Sequence, residues 1–450
     1  MKNERSSFTG KLGFVLAAAG SAVGLGNIWR FPYLAAKYGG GIFLLVYLLL
    51  AVTFGFALMV TEIAIGRKTG LSAIGAFGKL SRKFSFIGWL CALVPVIILP
   101  YYSVIGGWVT KYFVTFLTGG GIDAAAGMSY FGSFIAEPLS PMLWFFVFLG
   151  ITAVVVMLGV EKGVEAVSKI MMPVLVLLSV IIAIYSVTLP GAWEGVVYYF
   201  KPDFSKISPE LLLGAMGQLF YSMSLAMGIM ITYGSYMKKD VHIEKSVHQI
   251  ELFDTGIAFL AGLMIVPATY VFSGGGDMQA GPGLMFGTLP QVFKSMAGGQ
   301  IIGALFFLMV LFAALTSSIS LMETVVSIVQ DRLHMKRIPA CILVLAGSVL
   351  LGLPSSLGNG IWSHITILGF TFLDFFDFIS NSILMPIVAF LTCIFVGYFL
   401  KPQALCEEVE TTGPFAGKKL FTAVVKYVAP VCILLILISS VLSALGIITI

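Results

Sequence analysis

Gly20-Ser-Ala-Val-Gly24-Leu-Gly26-Asn-Ile-Trp-Arg30-Phe-Pro32 interrupts an apolar run that begins near residue 12. Three glycines in seven residues, then Asn27, Arg30 and Pro32, make a poor continuous helix. Gly20-xxx-Gly24 on its own could be a helix-packing face, but packing accounts for neither Asn27 nor Arg30. The interruption matters because of its surroundings. Of 450 residues, 59% are hydrophobic and only 10% charged. No water-soluble domain hides that much apolar surface, so the bilayer is the solvent for most of the chain. Unwound backbone at membrane depth is tolerated only where it is buried in protein or lines a wet cavity. There its free N–H groups can hold an anion and its free carbonyls a cation.

Working outward, apolar segments of spanning length fall near residues 12–36, 42–66, 86–117, 142–160, 166–189, 211–236, 252–273, 300–330, 338–352, 374–400 and 424–446. The ninth is short and should extend into its flanks. The fold class is therefore an all-α polytopic membrane protein with 11 transmembrane helices, a single domain over 1–450. Lys2, Arg5 and Lys11 before Ala17-Ala18-Ala19 imitate a secretory signal, but an apolar stretch of about five residues is too short for a signal core. We read an uncleaved first span. With the N-terminus inside, 20 of the 26 Lys and Arg residues fall on the cytoplasmic face and six on the other. This predicts the N-terminus cytoplasmic, the C-terminus outside and a bacterial cytoplasmic membrane location. The net charge of +5 is then topology, not a nucleic-acid patch. Loops 119–140, 188–210 and 274–299 are longer and should carry short helices over an outer vestibule. The inner loops are too short for a signalling domain.

The sixth segment repeats the interruption: Gly217-Gln218-Leu-Phe-Tyr221-Ser222-Met-Ser224-Leu-Ala226-Met227-Gly228. Segments one and six are corresponding members of two five-span halves. Paired interruptions of this kind mark the central site of an inverted-repeat transporter, the alternative being ordinary kinks at two unrelated places. Glu62, Asp254, Glu323 and Asp377 lie within or at the edge of apolar spans, where a carboxylate costs about 2.5–3.5 kcal/mol and needs a partner or a role. Glu323 could instead reach the inner water layer. The hydroxyls of Thr316-Ser317-Ser318 either bond back to their own helix or supply oxygens to a hard cation. Cys91, Cys341, Cys393, Cys406 and Cys432 are scattered singly, as are the four histidines. No Ser/His/Asp or metal-ligand constellation appears, so the chain is not read as an enzyme. A channel reading would need a continuous pore and usually symmetric subunits.

With these residues in view, the chain resembles the neurotransmitter:sodium symporter family. Gly39-Gly-Gly41, Glu62 with Gly66-Arg67, Tyr101-Tyr102, Gly217-Gln218, Ile231-Thr-Tyr-Gly-Ser-Tyr236 and Thr316-Ser-Ser also match, as does Gly163 ten positions before Pro173. The likeness runs essentially the whole length and is to the family's bacterial amino-acid carriers. It implies a LeuT-like 5+5 inverted repeat (about 8–190 and 208–400) plus one extra helix (about 424–446), with helices 1 and 6 broken at mid-membrane.

The resemblance further implies secondary active, sodium-coupled import of a hydrophobic amino acid, with two Na+ sites and no organic cofactor. The substrate carboxylate would meet the N–H groups of Leu25 and Gly26 and the Tyr102 hydroxyl. Its amino group would meet oxygens of Ala22, Tyr221, Ser222 and Ser224, while Ile98, Ile105, Tyr221, Met227, Ser318 and Leu321 complete the pocket. The first sodium would take oxygens from Ala22, Asn27, Ser222 and Asp254; the second from Gly20, Val23, Ala313, Thr316 and Ser317. Arg30 with Asp377, and Tyr102 with Tyr221, would close the outside. Arg5 with Asp331, assisted by Phe8, Tyr236 and Glu323, would close the inside, and unwinding between Gly163 and Pro173 would admit water from there. Two departures distinguish this chain. Asp254 stands where relatives generally have Asn, beside Tyr47, Gln218 and Ser222, positions that match the chloride site of animal members. Its charge could replace chloride, with H+ counter-transport on the return step. Ala226-Met227-Gly228 replaces Gly-x-Gly, and the unbranched Met227 suggests several hydrophobic substrates, aliphatic and aromatic. No obligatory protein partner is evident.

Overall fold

The computed structural model describes residues 6–273 and 280–444, and the described chain is all-helical. Arg5, the expected partner of Asp331, lies outside the described residues. Among the described residues, eleven longer helical units carry the architecture, with shorter helices between them. The first, α1, is Lys11–Ala22 and Gly26–Lys37, bent by 52° at the break between them. Then come α2 (Gly41–Thr69), α3 (Arg82–Leu117), α4 (Leu139–Met157) and α5 (Val160–Val187). The interrupted α6 is Pro209–Ser222 and Ile229–Tyr236. The chain goes on through α7 (Ile243–Ser273), α8 (Gly299–Leu333), α9 (Arg337–Leu357), α10 (Phe372–Leu400) and α11 (Lys418–Ser443).

Nine of these are single helices long and apolar enough to cross a membrane, and the bent α1 makes ten. The expected eleven requires the two halves of α6 to form one further crossing. As anticipated, α9 runs past the apolar core of 338–352 on its C-terminal side. The α7 helix begins nine residues before its expected start at 252, because its first turns are polar and carry no hydropathy signal. Their Glu244 carboxylate accepts the amides of Ala416 (3.1 Å) and Gly417 (2.7 Å) just before α11. Short helices do sit in the three long loops, at Met128–Ala136, Ala192–Phe200 and Leu289–Ser295.

Leu, Ile, Val and Phe side chains of α2, α4, α5, α9 and α11 remain exposed on the periphery, where lipid would meet them. The two broken helices lie inside this ring, buried around their breaks and exposed only toward their outer ends. Close backbone approach seats the second half of α6 on α2. A Cβ on Gly66 would lie 1.9 Å from the Ile231 carbonyl oxygen, and one on Gly234 would lie 2.4 Å from that of Ile63. Only glycine fits either position. Gly66→Ala should therefore push the helices apart and destabilise the protein by about 1–3 kcal/mol. Thermal unfolding in detergent checks this; an unchanged midpoint would show that the contact is not confining.

Candidate functional site

Between the halves of α6, Ser224 (φ 53°), Ala226 (φ 60°) and Gly228 (φ 73°) all take left-handed backbone. For the two non-glycine residues this costs on the order of 1–3 kcal/mol each and persists only when the surroundings impose it. Two contacts do so. The Ser224 hydroxyl donates to the Ser21 carbonyl (2.9 Å), and the Ala226 amide donates to a carboxylate oxygen of Glu62 (2.6 Å). The break in α6 is thus tied to the break in α1 on one side and to α2 on the other.

The α1 glycines are explained by what faces them. A Cβ on Gly24 would press on the Ser317 hydroxyl at 2.8 Å, and one on Gly26 would enter the Tyr221 ring at 2.6 Å. Around them lies a small cavity of about 30 Å³, lined by Ala22, Leu25, Gly26, Ile98, Tyr102, Tyr221, Ser222, Ser224, Met227 and Leu321, among others. This brings together most of the expected pocket, and adds Ile229. The Tyr102 hydroxyl is buried in it without a well-formed hydrogen bond among the described residues, beside the Leu25 amide and the Ser317 hydroxyl.

Two expected pocket residues stand elsewhere. Ile105, two turns along α3 from Ile98, lines a separate and larger cavity of about 420 Å³ with Trp29, Arg30, Tyr101, Tyr221 and Asp377. Ser318 turns away, its buried hydroxyl 3.1 Å from that of Thr152 on α4. Ser318 lies about 200° round the helix from Thr316, on the side away from α1.

Asp254 is fully buried and collects three donors. Asn27 Nδ2 (2.7 Å) and Ser222 Oγ (2.8 Å) reach one carboxylate oxygen, and the Tyr47 hydroxyl reaches the other at 3.3 Å. The Gly24 amide donates to Asn27 Oδ1 (3.0 Å), which sets the side chain's orientation. Nearby, Gln218 Nε2 donates to the Gly26 carbonyl at 2.9 Å. A second oxygen cluster lies between α1 and α8. The Ser317 hydroxyl is 3.5 Å from the Gly20 carbonyl, 3.1 Å from that of Ser21 and 3.3 Å from that of Val23, while the Thr316 hydroxyl is 3.1 Å from the Ala313 carbonyl. All-oxygen groupings of this kind suit a small hard cation.

The gate residues fall on two faces. On the Arg30 side, Arg30 rests over the Tyr221 ring (5.9 Å) and makes no ion pair with Asp377 among the described residues. Asp377 instead accepts from Tyr101 (3.1 Å), quoted in the sequence only as a motif residue, and from Asn381 (2.6 Å), which the sequence reading passed over, and the larger cavity lies between. On the Phe8 side the groups are joined. Phe8 is buried edge-on against Phe14, Tyr233 and Tyr236, and its amide donates to the Tyr236 carbonyl (3.1 Å). The Tyr236 hydroxyl donates to Glu323 (2.8 Å), and Asp331 accepts the Ser72 amide (2.8 Å) and hydroxyl (2.6 Å). Gly163 lies in a tight π-helical turn (Val160–Glu165), and the helix continues unbroken from Ala166 past Pro173. The segment expected to unwind is wound in this structure.

Glu323 does not reach the water layer: it is fully buried and ion-paired with Arg337 at the start of α9. In the sequence Arg337 reads only as one of the 20 cytoplasmic-side Lys and Arg residues. Removing one member of a buried pair strands the other charge, at about 3–5 kcal/mol. Arg337→Met alone should destabilise by that order, and Glu323→Leu with Arg337→Met by clearly less. Thermal midpoints of Arg337→Met, Glu323→Leu and the double variant measure this; a double loss equal to the sum of the two single losses would show the charges to be uncoupled.

Comparisons with known proteins agree with this geometry. The model of the "Sodium:neurotransmitter symporter family" matches residues 5–121 and 133–447. An uncharacterized sodium-dependent transporter of Haemophilus influenzae is 34% identical over 97% of this chain and 98% of its own length. The uncharacterized sodium-dependent transporter YhdH of Bacillus subtilis is 37% identical over 95% of each chain. In structure the chain is similar to MhsT, solved in complex with L-phenylalanine, with a TM-score of 0.87 and 37% identity over 97% of this chain and 100% of that one. The relatives are membrane transporters rather than enzymes. The chain belongs to the sodium:neurotransmitter symporter family and is a multi-pass, sodium-dependent transporter.

Proposed function

We propose that the protein imports hydrophobic L-amino acids, aliphatic and aromatic, together with two sodium ions by alternating access. The observation that carries this reading is the composition of the small cavity. At one end are the backbone of Leu25 and Gly26 and the Tyr102 hydroxyl, which finds no well-formed bond among the described residues; at the other are Ile98, Met227 and Leu321. A carboxylate has donors at the first end, an ammonium has oxygens at Ala22, Ser222 and Ser224, and a hydrocarbon side chain has the second. Among the described residues no charged side chain lines the cavity, which disfavours charged substrates. The volume of about 30 Å³ is room for one or two waters, so an amino acid enters by moving Met227, whose unbranched chain repacks readily. The bound phenylalanine of MhsT supports an aromatic substrate.

One sodium would sit by Asp254, Asn27, Ser222 and Ala22, sharing the substrate's carboxylate. The other would sit between Gly20, Val23, Ala313, Thr316 and Ser317. Because one ion and the substrate complete each other's surroundings, each raises the other's affinity. Ionised, Asp254 would put a negative charge among Tyr47, Ser222 and Asn27, so uptake should not need chloride, and its protonation would accompany the empty return step. With the N-terminus cytoplasmic, the joined Phe8 face is the inner one. The vestibule beside Arg30 is then open outward, the disposition of a transporter ready to load.

The test is uptake of labelled leucine into proteoliposomes under an imposed sodium gradient. Accumulation should vanish when potassium replaces sodium, persist when gluconate replaces chloride, and be competed by phenylalanine and tryptophan. Uptake indifferent to sodium would overturn the proposal. Loss in gluconate would overturn chloride independence alone, and competition by leucine only would overturn the broad specificity.

A further inference from the structure

A buried carboxylate that the transport reading does not use lies on α5 between Gly163 and Pro173. We propose that Glu165 is a positioning residue that latches the N-terminal segment to the first turn of α5, so that release of the one permits unwinding of the other. The inference rests on the alternating-access reading above.

Four contacts converge there. The Glu165 side chain is only 1% exposed and accepts the Thr9 amide at 2.8 Å; the Thr9 hydroxyl bonds its other oxygen. Lys169, one turn further along α5, pairs with it at 2.7 Å and also reaches the Thr9 hydroxyl at 3.4 Å. The Thr9 carbonyl is held in turn by Lys238, from the connection between α6 and α7, at 2.8 Å. Thr9 is therefore clamped from both sides, next to Phe8, which closes this face. The fourth contact is a vacancy in α1. A Cβ on Gly13 would fall 2.1 Å from a carboxylate oxygen of Glu165, so glycine there lets the carboxylate lie flat against α1.

Seven residues on, the same seam pairs Gly20 with Met172, whose sulfur would be 3.3 Å from a Cβ on that glycine. The seam between α1 and α5 thus leads from Glu165 directly to the oxygen cluster at Gly20 and Ser317. While the N-terminal segment is docked, the Glu165 charge is compensated and the seam is dry. Once Thr9 leaves, a carboxylate with a single exposed lysine partner remains in the seam. Such a charge demands water, and the water arrives beside Gly163. That glycine packs too tightly for any side chain, with a Cβ 2.0 Å from the Val155 carbonyl, in a turn already wound as a π-helix. Wetting this turn exposes its π-helical hydrogen bonds to competition from water, which favours unwinding toward Pro173.

The test labels Ser168→Cys, a buried position on the same stretch, with a membrane-impermeant maleimide in sodium and in potassium, corrected for the parent's own cysteines. With Glu165 intact, labelling should be slow in sodium and faster in potassium. Adding Glu165→Ala should raise the sodium rate at least fivefold, to near the potassium rate, and weaken equilibrium leucine binding several-fold. Glu165→Gln, which still accepts from Thr9 but loses the charge, should fall between. Gly13→Ala, which displaces the carboxylate without removing it, should act in the same direction and keeps the test decisive if Glu165→Ala does not fold. Sodium labelling rates in Glu165→Ala, Glu165→Gln and Gly13→Ala that equal the parent's, with the sodium–potassium contrast preserved, would overturn the latch alone. Absence of that contrast with Glu165 intact would overturn alternating access at this seam, and the latch with it.

Discussion

Backbone N–H and C=O groups released from a helix inside a membrane find no water, so each break must be answered by protein or by cargo. In this chain the two breaks answer one another. Ser224 holds the Ser21 carbonyl, Gln218 holds the Gly26 carbonyl, and Glu62 takes the Ala226 amide. What these contacts leave over is chemically sorted: carbonyls of α1 facing the Ser317 hydroxyl, a carboxylate at Asp254, and an ill-satisfied hydroxyl at Tyr102. The glycines of α1 are cleared space as much as flexible joints, since a methyl group at Gly24 or Gly26 would occupy the site. Strained backbone at Ser224 and Ala226 is sustained by the same ties, which is why the cavity sits there and not along a regular helix.

The two ends of the molecule differ in the same terms. Beside Phe8, aromatic edges, a buried Glu323–Arg337 pair and the Thr9–Glu165 contacts form a continuous closure. Beside Arg30 the ionic partners stand apart across a cavity of about 420 Å³, each occupied by a neutral neighbour. Closure by several contacts on one side and their absence on the other is the arrangement that the alternating access proposed above requires.

Much of this could be read from the sequence because membrane rules make violations conspicuous. Three glycines and Asn27 in an apolar run, their counterpart at Ser222–Gly228, and a carboxylate at Asp254 each stand out against leucine and valine. Helix direction was harder to read. Thr316, Ser317 and Ser318 form one motif, but the first two face α1 and only the structure turns Ser318 toward Thr152. Ile98 and Ile105 share a helix face yet lie about 10 Å apart along the axis, which puts them in different cavities. Polar ends of helices were lost to hydropathy, as at the start of α7. Glu165 escaped because its partner lies 156 residues away at Thr9. The Glu165…Lys169 spacing is one helical turn, but in the sequence Lys169 reads only as one of the cytoplasmic-side basic residues. The fixed charge of a gate residue says nothing about whether the gate is shut, so the separation of Arg30 from Asp377 had no sequence signal.

The central claim is that the interrupted segments of α1 and α6 form one cage in which sodium and amino acid complete each other's coordination. Equilibrium binding of labelled leucine to the detergent-solubilised protein, titrated in sodium with potassium holding ionic strength constant, tests it most directly. The account predicts saturable binding whose affinity rises steeply with sodium and is lost when potassium replaces it. Leucine affinity that is the same in both ions would contradict it.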